Sequence, residues 1–341
     1  MRKQSISKIT AETSYLKDTF SVGFGFEEKS NLNIAYQEST RRRHRYCFHQ
    51  DPSVQLHDII IQYDSSTYIP PNKHIGKPET VCILQGTIDF YLFNDCGSVI
   101  YRTRLSAELD DHPFILRIPP NTWHGLHVVS DIPCIMKETI TGPYKREALE
   151  WGEFAPSEEE NIKDSSGFKF YKDLSNEYSL QEPSYGHLLK ASENVLITTC
   201  QFPSLTQNDL VELENLAEKS SLKRSRVCLH SSSLDIQQDM IIYLGKDCDI
   251  PVSYHLNKDE GLVVLRGSGK YIFVNDDDSV AREDYLTTFT DINKENKNKR
   301  CYARINRFVP HQIKPDQGGI LIYEATTGPF NKLDTVYKNN F

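Results

Sequence analysis

Short apolar runs punctuated by turn residues dominate the chain. "HDIIIQY", "TVCILQGTIDFYLFN", "SVIYRTRL", "FILRIP" and "PCIMKETI" are rich in β-branched and aromatic residues and are bounded by Gly, Pro, Asn and Asp. That composition predicts strands. "NDCGSV" and "NDDDSV" predict hairpin turns between them. A period of 3.6 occurs in "TQNDLVELENLAEKSS" (206–221), where Leu210, Leu213 and Leu216-Ala217 share a face and Asn208 is a candidate cap. "NLNIAYQEST" (31–40) is its weaker counterpart.

These elements occur twice. A shift of 181 residues aligns 45–99 with 226–280 without a gap, with 17 identities in 55 positions. They include Arg45/Arg226, Cys47/Cys228, His49/His230, Asp58/Asp239, His74/His255, Glu79/Glu260 and Gly86/Gly267. A second block pairs "KETITGPY" (137–144) with "YEATTGPF" (323–330), aligning Glu138 with Glu324. The chain is thus two copies of one unit, expected as domains over residues 1–160 and 161–341. "SEEENIKDSSG" (157–167) reads as a connector, and 168–200 is of mixed character, with a lead-in strand pair as one reading. "DINKENKNKR" (291–300) reads as an exposed insertion. Many short strands with regular turns imply a mostly β fold, a sandwich or jelly-roll barrel, each copy preceded by a short helix.

Composition narrows the class. The 341 residues suffice for two domains, and 38% hydrophobic with 11% aromatic content suits a globular chain. A net charge of −8 argues against a nucleic-acid binder. "RRRHR" (41–45) is a dense basic cluster, readable as a solvated segment or as an anion-binding arm. No apolar stretch is long enough for a membrane helix, and the basic N-terminus lacks a signal-peptide core, so a cytoplasmic protein is expected. The eight cysteines include no CxxC pair and read as reduced thiols.

The repeated polar residues carry the chemistry. His74, Glu79 and His124 recur as His255, Glu260 and His311. Two imidazoles and a carboxylate suit a divalent ion with open positions, with Fe, Zn, Mn or Ni all compatible. Five residues between His and Glu would point them to opposite faces of one unbroken strand. "IGKP" and "LNKD" are turn-forming and allow the register to reset. Arg45 and Arg226, with His49 and His230, are readable as structural ion-pairing groups or as a clamp on an anionic substrate. Glu138 and Glu324 are candidates for a supporting carboxylate, a general base or a strand-end role. Trp123 beside His124 is a candidate pocket wall or a packed core aromatic. No catalytic residue is assigned.

"PPNKHIGKPETVCILQG" (70–86) resembles the first cupin motif, and "IPPNTWHGLH" (118–127) the second. The first copy also resembles the WbuC-type cupin metalloprotein family through "RRRHRYCFH", "FNDCGSV", "KETITGPY" and "WGEFAPSE". The resemblance implies a bicupin and a metal-dependent protein associated with bacterial surface-polysaccharide synthesis. Typical cupins carry a fourth ligand where this chain has Asn72 and Ser253, and a glycine where it has Asn121. Asn72 is therefore a further candidate ligand, and Ser253 a poor one. The expected function is a metal-dependent isomerase or oxygenase acting on a small sugar-like or carboxylate substrate. The alternatives are a non-catalytic binding bicupin and a metal-free sugar epimerase. A small-molecule ligand is the expected partner, and a homodimer of chains is left open.

Overall fold

Leu56–Tyr63 is buried at every position, whereas a sheet with one wet face would alternate. The reason is visible in the computed structural model, which describes residues 4–18, 20–181 and 188–338. Ile59, Ile61 and Tyr63 point into the first copy's own core, where they meet Ile88, Phe90 and Leu92 of a second sheet. The alternate residues Ile60, Cys82 and Ile135 point the other way, into a core shared with Ile241, Val263 and Tyr323 of the second copy. Each copy is a two-layered β sandwich, and the copies are joined through one layer of each.

In the first copy the layers are separate sheets of eight and five strands. In the second they are continuous. Glu260–Val274 and His311–Thr327 run from one layer into the other, bending at irregularities around Gly267. Gly86 and Gly267 hold φ of 83° and 76° at corresponding corners, a conformation natural to glycine. The sheets stay open at their edges and do not close into barrels.

The two copies exchange edge strands. Ser21–Gly25 pairs with Lys299–Ile305 of the second copy. Reciprocally, Ser204–Leu205 pairs with Ile115–Ile118 of the first. A helix follows each exchanged strand. The first spans Phe26–Glu38, starting earlier than the sequence pattern suggests because the Glu28 carboxylate accepts from the Gly25 N–H at 3.0 Å. The second spans Gln207–Lys219 and buries Leu210, Leu213 and Ala217. Thr206, not Asn208, opens it through a reciprocal pair with Asp209.

Two buried ion pairs cross the junction. Arg304 of the second copy lies 2.9 Å from Asp58, which also holds Lys137 at 2.8 Å. Arg117 of the first copy pairs with Asp239, which accepts from Thr80 and Tyr323, each at 2.8 Å. The aspartates belong to the repeat, and each draws an arginine from the opposite copy.

Other expectations are revised. The 157–167 connector is mostly helical: Ser157 and Glu160 form a capping box for Glu158–Asp164. The next helix, Ser166–Glu177, packs Tyr171 against Tyr68 and Tyr91 of the first copy. The lead-in pair of the second copy is the hairpin Leu188–Ser192 and Val195–Thr198. Within 291–300, Ile292 is buried in the shared core and strand structure resumes at Lys299. Among the described residues no helix is long and apolar enough to cross a membrane.

Candidate metal centres

The strand break expected at "IGKP" is present. Asn72–His74 and Glu79–Gln85 are separate strands, and Gly76 between them has φ 68°. His74 and Glu79 can therefore face one interior. His124 comes from Trp123–Val128, where it lies opposite Asn72. The approach to His124 needs a left-handed residue, and Asn121 supplies it with φ 62°. Asparagine tolerates that conformation, and its Oδ1 accepts from the Gly76 N–H at 2.8 Å. In the second copy Phe308 occupies the same conformation, φ 63°, with a side chain that can accept no such bond.

In the first cluster, Glu79 Oε2 lies 3.1 Å from His74 Nε2 and 3.2 Å from His124 Nε2. In the second, Glu260 Oε2 lies 3.2 Å from His255 Nε2 and 4.0 Å from His311 Nε2. In each trio the three candidate ligand atoms lie within 4.8 Å of one another. Backbone carbonyls accept from the Nδ1 sides: Thr122 O from His124 at 3.0 Å and Val309 O from His311 at 2.8 Å. That fixes a tautomer whose Nε2 lone pair points inward. Glu79 Oε2 is buried without a hydrogen bond of good geometry. A buried carboxylate oxygen in that state, with two imidazole nitrogens converging on it, suits a cation.

The electrostatics agree. Burial alone would raise the Glu79 carboxyl, yet His124 and His74 hold it well below the usual carboxylate range. Burial likewise opposes ionisation of Glu260, and His255 and His311 hold it to about 2. Glu138 and Glu324 behave oppositely. Burial first, and then the neighbouring Glu79 or Glu260, pushes each up to about 8.

Each cluster opens into a cavity, of about 610 Å³ in the first copy and about 790 Å³ in the second. Alternate residues of the segment 41–49 line the first: Arg41, Arg43, Arg45, Cys47 and His49. The second repeats the pattern with Leu222, Arg224, Arg226, Cys228 and His230. The basic cluster "RRRHR" thus sends every second side chain into a cavity. Among the described residues, no carboxylate lies within ion-pair distance of Arg45 or Arg226, although Arg45 Nε donates to Thr13 Oγ1 at 3.0 Å. Asn72, Glu138, Ser253 and Glu324 line the cavities too. His49 is buried, donates through Nδ1 to Asp58 O at 3.3 Å and stacks on His57 at 4.1 Å. Burial, then His57, lowers it to about 3, so it is neutral at pH 7. His230 stands likewise against Asp239 O at 3.0 Å.

Trp123 lies elsewhere. Its neighbour His124 faces in, so strand alternation sends the indole out. It packs on Phe154, donates to Asp95 Oδ1 at 3.1 Å and carries Lys73 over its ring, and it does not line this cavity. Two cavity residues carry little signal in the sequence. Phe90 stacks beside His124 in the first copy. At the corresponding position Tyr271 donates to Glu260 Oε1 at 3.0 Å. Their signal is one aligned aromatic pair inside the repeat.

The fold is that of a bicupin. A family described as a domain of unknown function, DUF6016, matches residues 30–105 and 205–286, the corresponding part of each copy. No curated protein matches the sequence. Among solved structures, salicylate 1,2-dioxygenase from Pseudoaminobacter salicylatoxidans is similar in fold. Its structure with gentisate adducts superposes with a TM-score of 0.59 at 10% identity, covering 94% of this chain and 85% of that one. A further structure of that dioxygenase gives 0.56 at 9% identity, over 91% and 84%.

Proposed function

We propose that this bicupin is a metal-dependent enzyme acting on a small carboxylate-bearing substrate. His74, Glu79 and His124 would hold one divalent ion, and His255, Glu260 and His311 a second. The observation that carries the reading is in the first cavity. Arg45, which among the described residues has no carboxylate partner, lines the same space as a His–Glu–His trio whose buried carboxylate oxygen lacks a well-formed hydrogen bond. A bound ion would supply Lewis-acid activation of a substrate oxygen or of dioxygen. The chain's own residues do the rest. Arg45 binds and orients the carboxylate. Val81 and Met136, from the sheet that carries Arg45, and Phe90, from the facing sheet, give the cavity an apolar lining that limits water.

The arginines favour a carboxylate over a neutral sugar among the two substrate classes expected from the sequence. The solved structure with gentisate adducts points the same way. The resemblance to WbuC-type cupins, carried by the first copy and more weakly by 220–330, would add a role in surface-polysaccharide synthesis. Eight free cysteines, six of them buried, suit a reducing compartment such as the cytoplasm.

The test is calorimetric titration of metal-loaded protein with simple carboxylates, followed by turnover assays with the best binder under air. Binding that is lost in Arg45→Gln, with turnover lost in His124→Ala, supports the reading. Tight reversible binding without turnover makes the protein a ligand-binding bicupin instead.

A further inference from the structure

The mouth of the first cavity contains an ion pair that the second lacks. Arg43 NH2 lies 3.1 Å from Glu158 Oε1, and Arg41 NH1 lies 3.5 Å from Glu158 Oε2. All three side chains line the cavity, and so does Arg45 deeper along the same strand. The carboxylate is delivered by a distant segment, at the start of the helix that Ser157 caps. In the second copy Leu222 replaces Arg41, and among the described residues no carboxylate lies within ion-pair distance of Arg224.

We propose that Arg41 and Arg43 form a second anion subsite, and that Glu158 is an internal carboxylate occupying it until a substrate group takes its place. The reading rests on the assignment of Arg45 as the first anion anchor. Residues 43 and 45 leave the same face of one strand, so their side chains start about 6.6 Å apart. A ligand bridging them carries two anionic groups at roughly that separation, a dicarboxylate or a phosphorylated carboxylate. Glu158 offsets one of the two positive charges of Arg41 and Arg43 in the meantime. The pair remains partly open to water, with the Arg41 side chain 46% exposed and the Glu158 side chain 23%. Ion pairs near water are held weakly and exchange readily for an incoming carboxylate. In the second copy Arg224 and Arg226 keep the spacing of Arg43 and Arg45, with no ion-paired carboxylate to displace among the described residues, so the exchange with Glu158 is particular to the first.

The experiment is calorimetric titration of the metal-loaded full chain with glutarate, adipate and pimelate, and with butyrate and hexanoate as single-anion controls. The best dicarboxylate should bind about tenfold tighter than a monocarboxylate of similar length. Glu158→Gln should tighten the dicarboxylate by about fivefold to tenfold and move the monocarboxylates less than about twofold. Arg43→Gln and the more exposed Arg41→Gln should each shrink the dicarboxylate advantage. An unchanged ratio of the two ligand classes across all three variants would overturn the subsite and leave the Arg45 anchor standing. If neither class binds, or if Arg45→Gln changes nothing, the anchor itself fails and the subsite falls with it.

Discussion

The two copies share a fold and a trio of side chains, yet they treat the central carboxylate differently. In the first, one oxygen of Glu79 meets two imidazoles at near-equal distance, and the Phe90 ring stacks beside His124. In the second, Glu260 is gripped by Tyr271 through its other oxygen and stands farther from His311. The difference extends to the imidazoles. Burial pushes both His124 and His311 down, but the closer Glu79 reverses the direction for His124 and leaves it raised, while His311 stays lowered. The cavity linings differ likewise, with Arg41, Arg43, Arg45 and Arg146 beside Glu158 in the first and Arg224 and Arg226 in the second. Duplication preserved the framework, and the divergence lies in the groups around it.

The junction is the place to break the comparison most severely. Asp58 faces two buried cations, Lys137 and Arg304. Those cations, outweighing burial, hold its carboxyl down to about 2. Asp239 faces one, Arg117, which Asp235 also pairs at 2.8 Å. Asp58→Ala should therefore cost about 3–5 kcal/mol, because it strands charge in the interior. Asp239→Ala should cost less, as Asp235 remains for Arg117. Urea unfolding of both variants measures the order, and equal losses would show that the two junction halves are equivalent.

Acid should separate the copies next. His57 of the first copy corresponds to Gln238 in the second. Burial, then Lys77, lowers His57 to about 4. A base whose folded value is depressed leaves stability intact above its unfolded value near 6.5, and stability is lost as pH falls from there toward 4. His57→Gln should recover about 2 kcal/mol at pH 5 and nothing at pH 8. Melting curves across that range would contradict this if the variant and the wild type fell in parallel.

A subtler exchange concerns the carboxylate grip. Tyr271→Phe gives the second cluster the first cluster's aromatic, and should shift metal affinity there about tenfold while leaving the other site unchanged. Competition titration with a chromophoric chelator reads the two sites separately. The smallest effect is at the left-handed corner. Phe308→Asn copies Asn121 and should stabilise by about 0.5–1 kcal/mol, since a bulky residue is costly in that conformation. Thermal melts of the variant against wild type measure that gain.

Much of this was legible in the sequence because it is written twice. His74, Glu79 and His124 have counterparts, and the structure brings each trio together. Gly142 and Gly328, in the repeated "TGP", sit where a Cβ would meet a backbone oxygen at 1.8 Å and 1.9 Å. Other features left no such trace. Arg117 and Arg304 fall outside the ungapped repeat, and each finds its partner in the opposite copy, so no local pattern announces them. Glu158 lies beyond the repeated blocks as well. The exchanged strands are short, and Ser204–Leu205 has only two residues of pattern to read. Trp123 drew attention through proximity in sequence, although alternation along a strand already turns it away from His124.

Two His–Glu–His metal centres in one chain are tested most directly by metal content. Elemental analysis after anaerobic reconstitution would compare the purified full chain with His124→Ala, His311→Ala and the double variant. Close to two ions per wild-type chain are expected, with one in each single variant and none in the double. Full occupancy in every variant, or no bound metal in any folded sample, would contradict both centres.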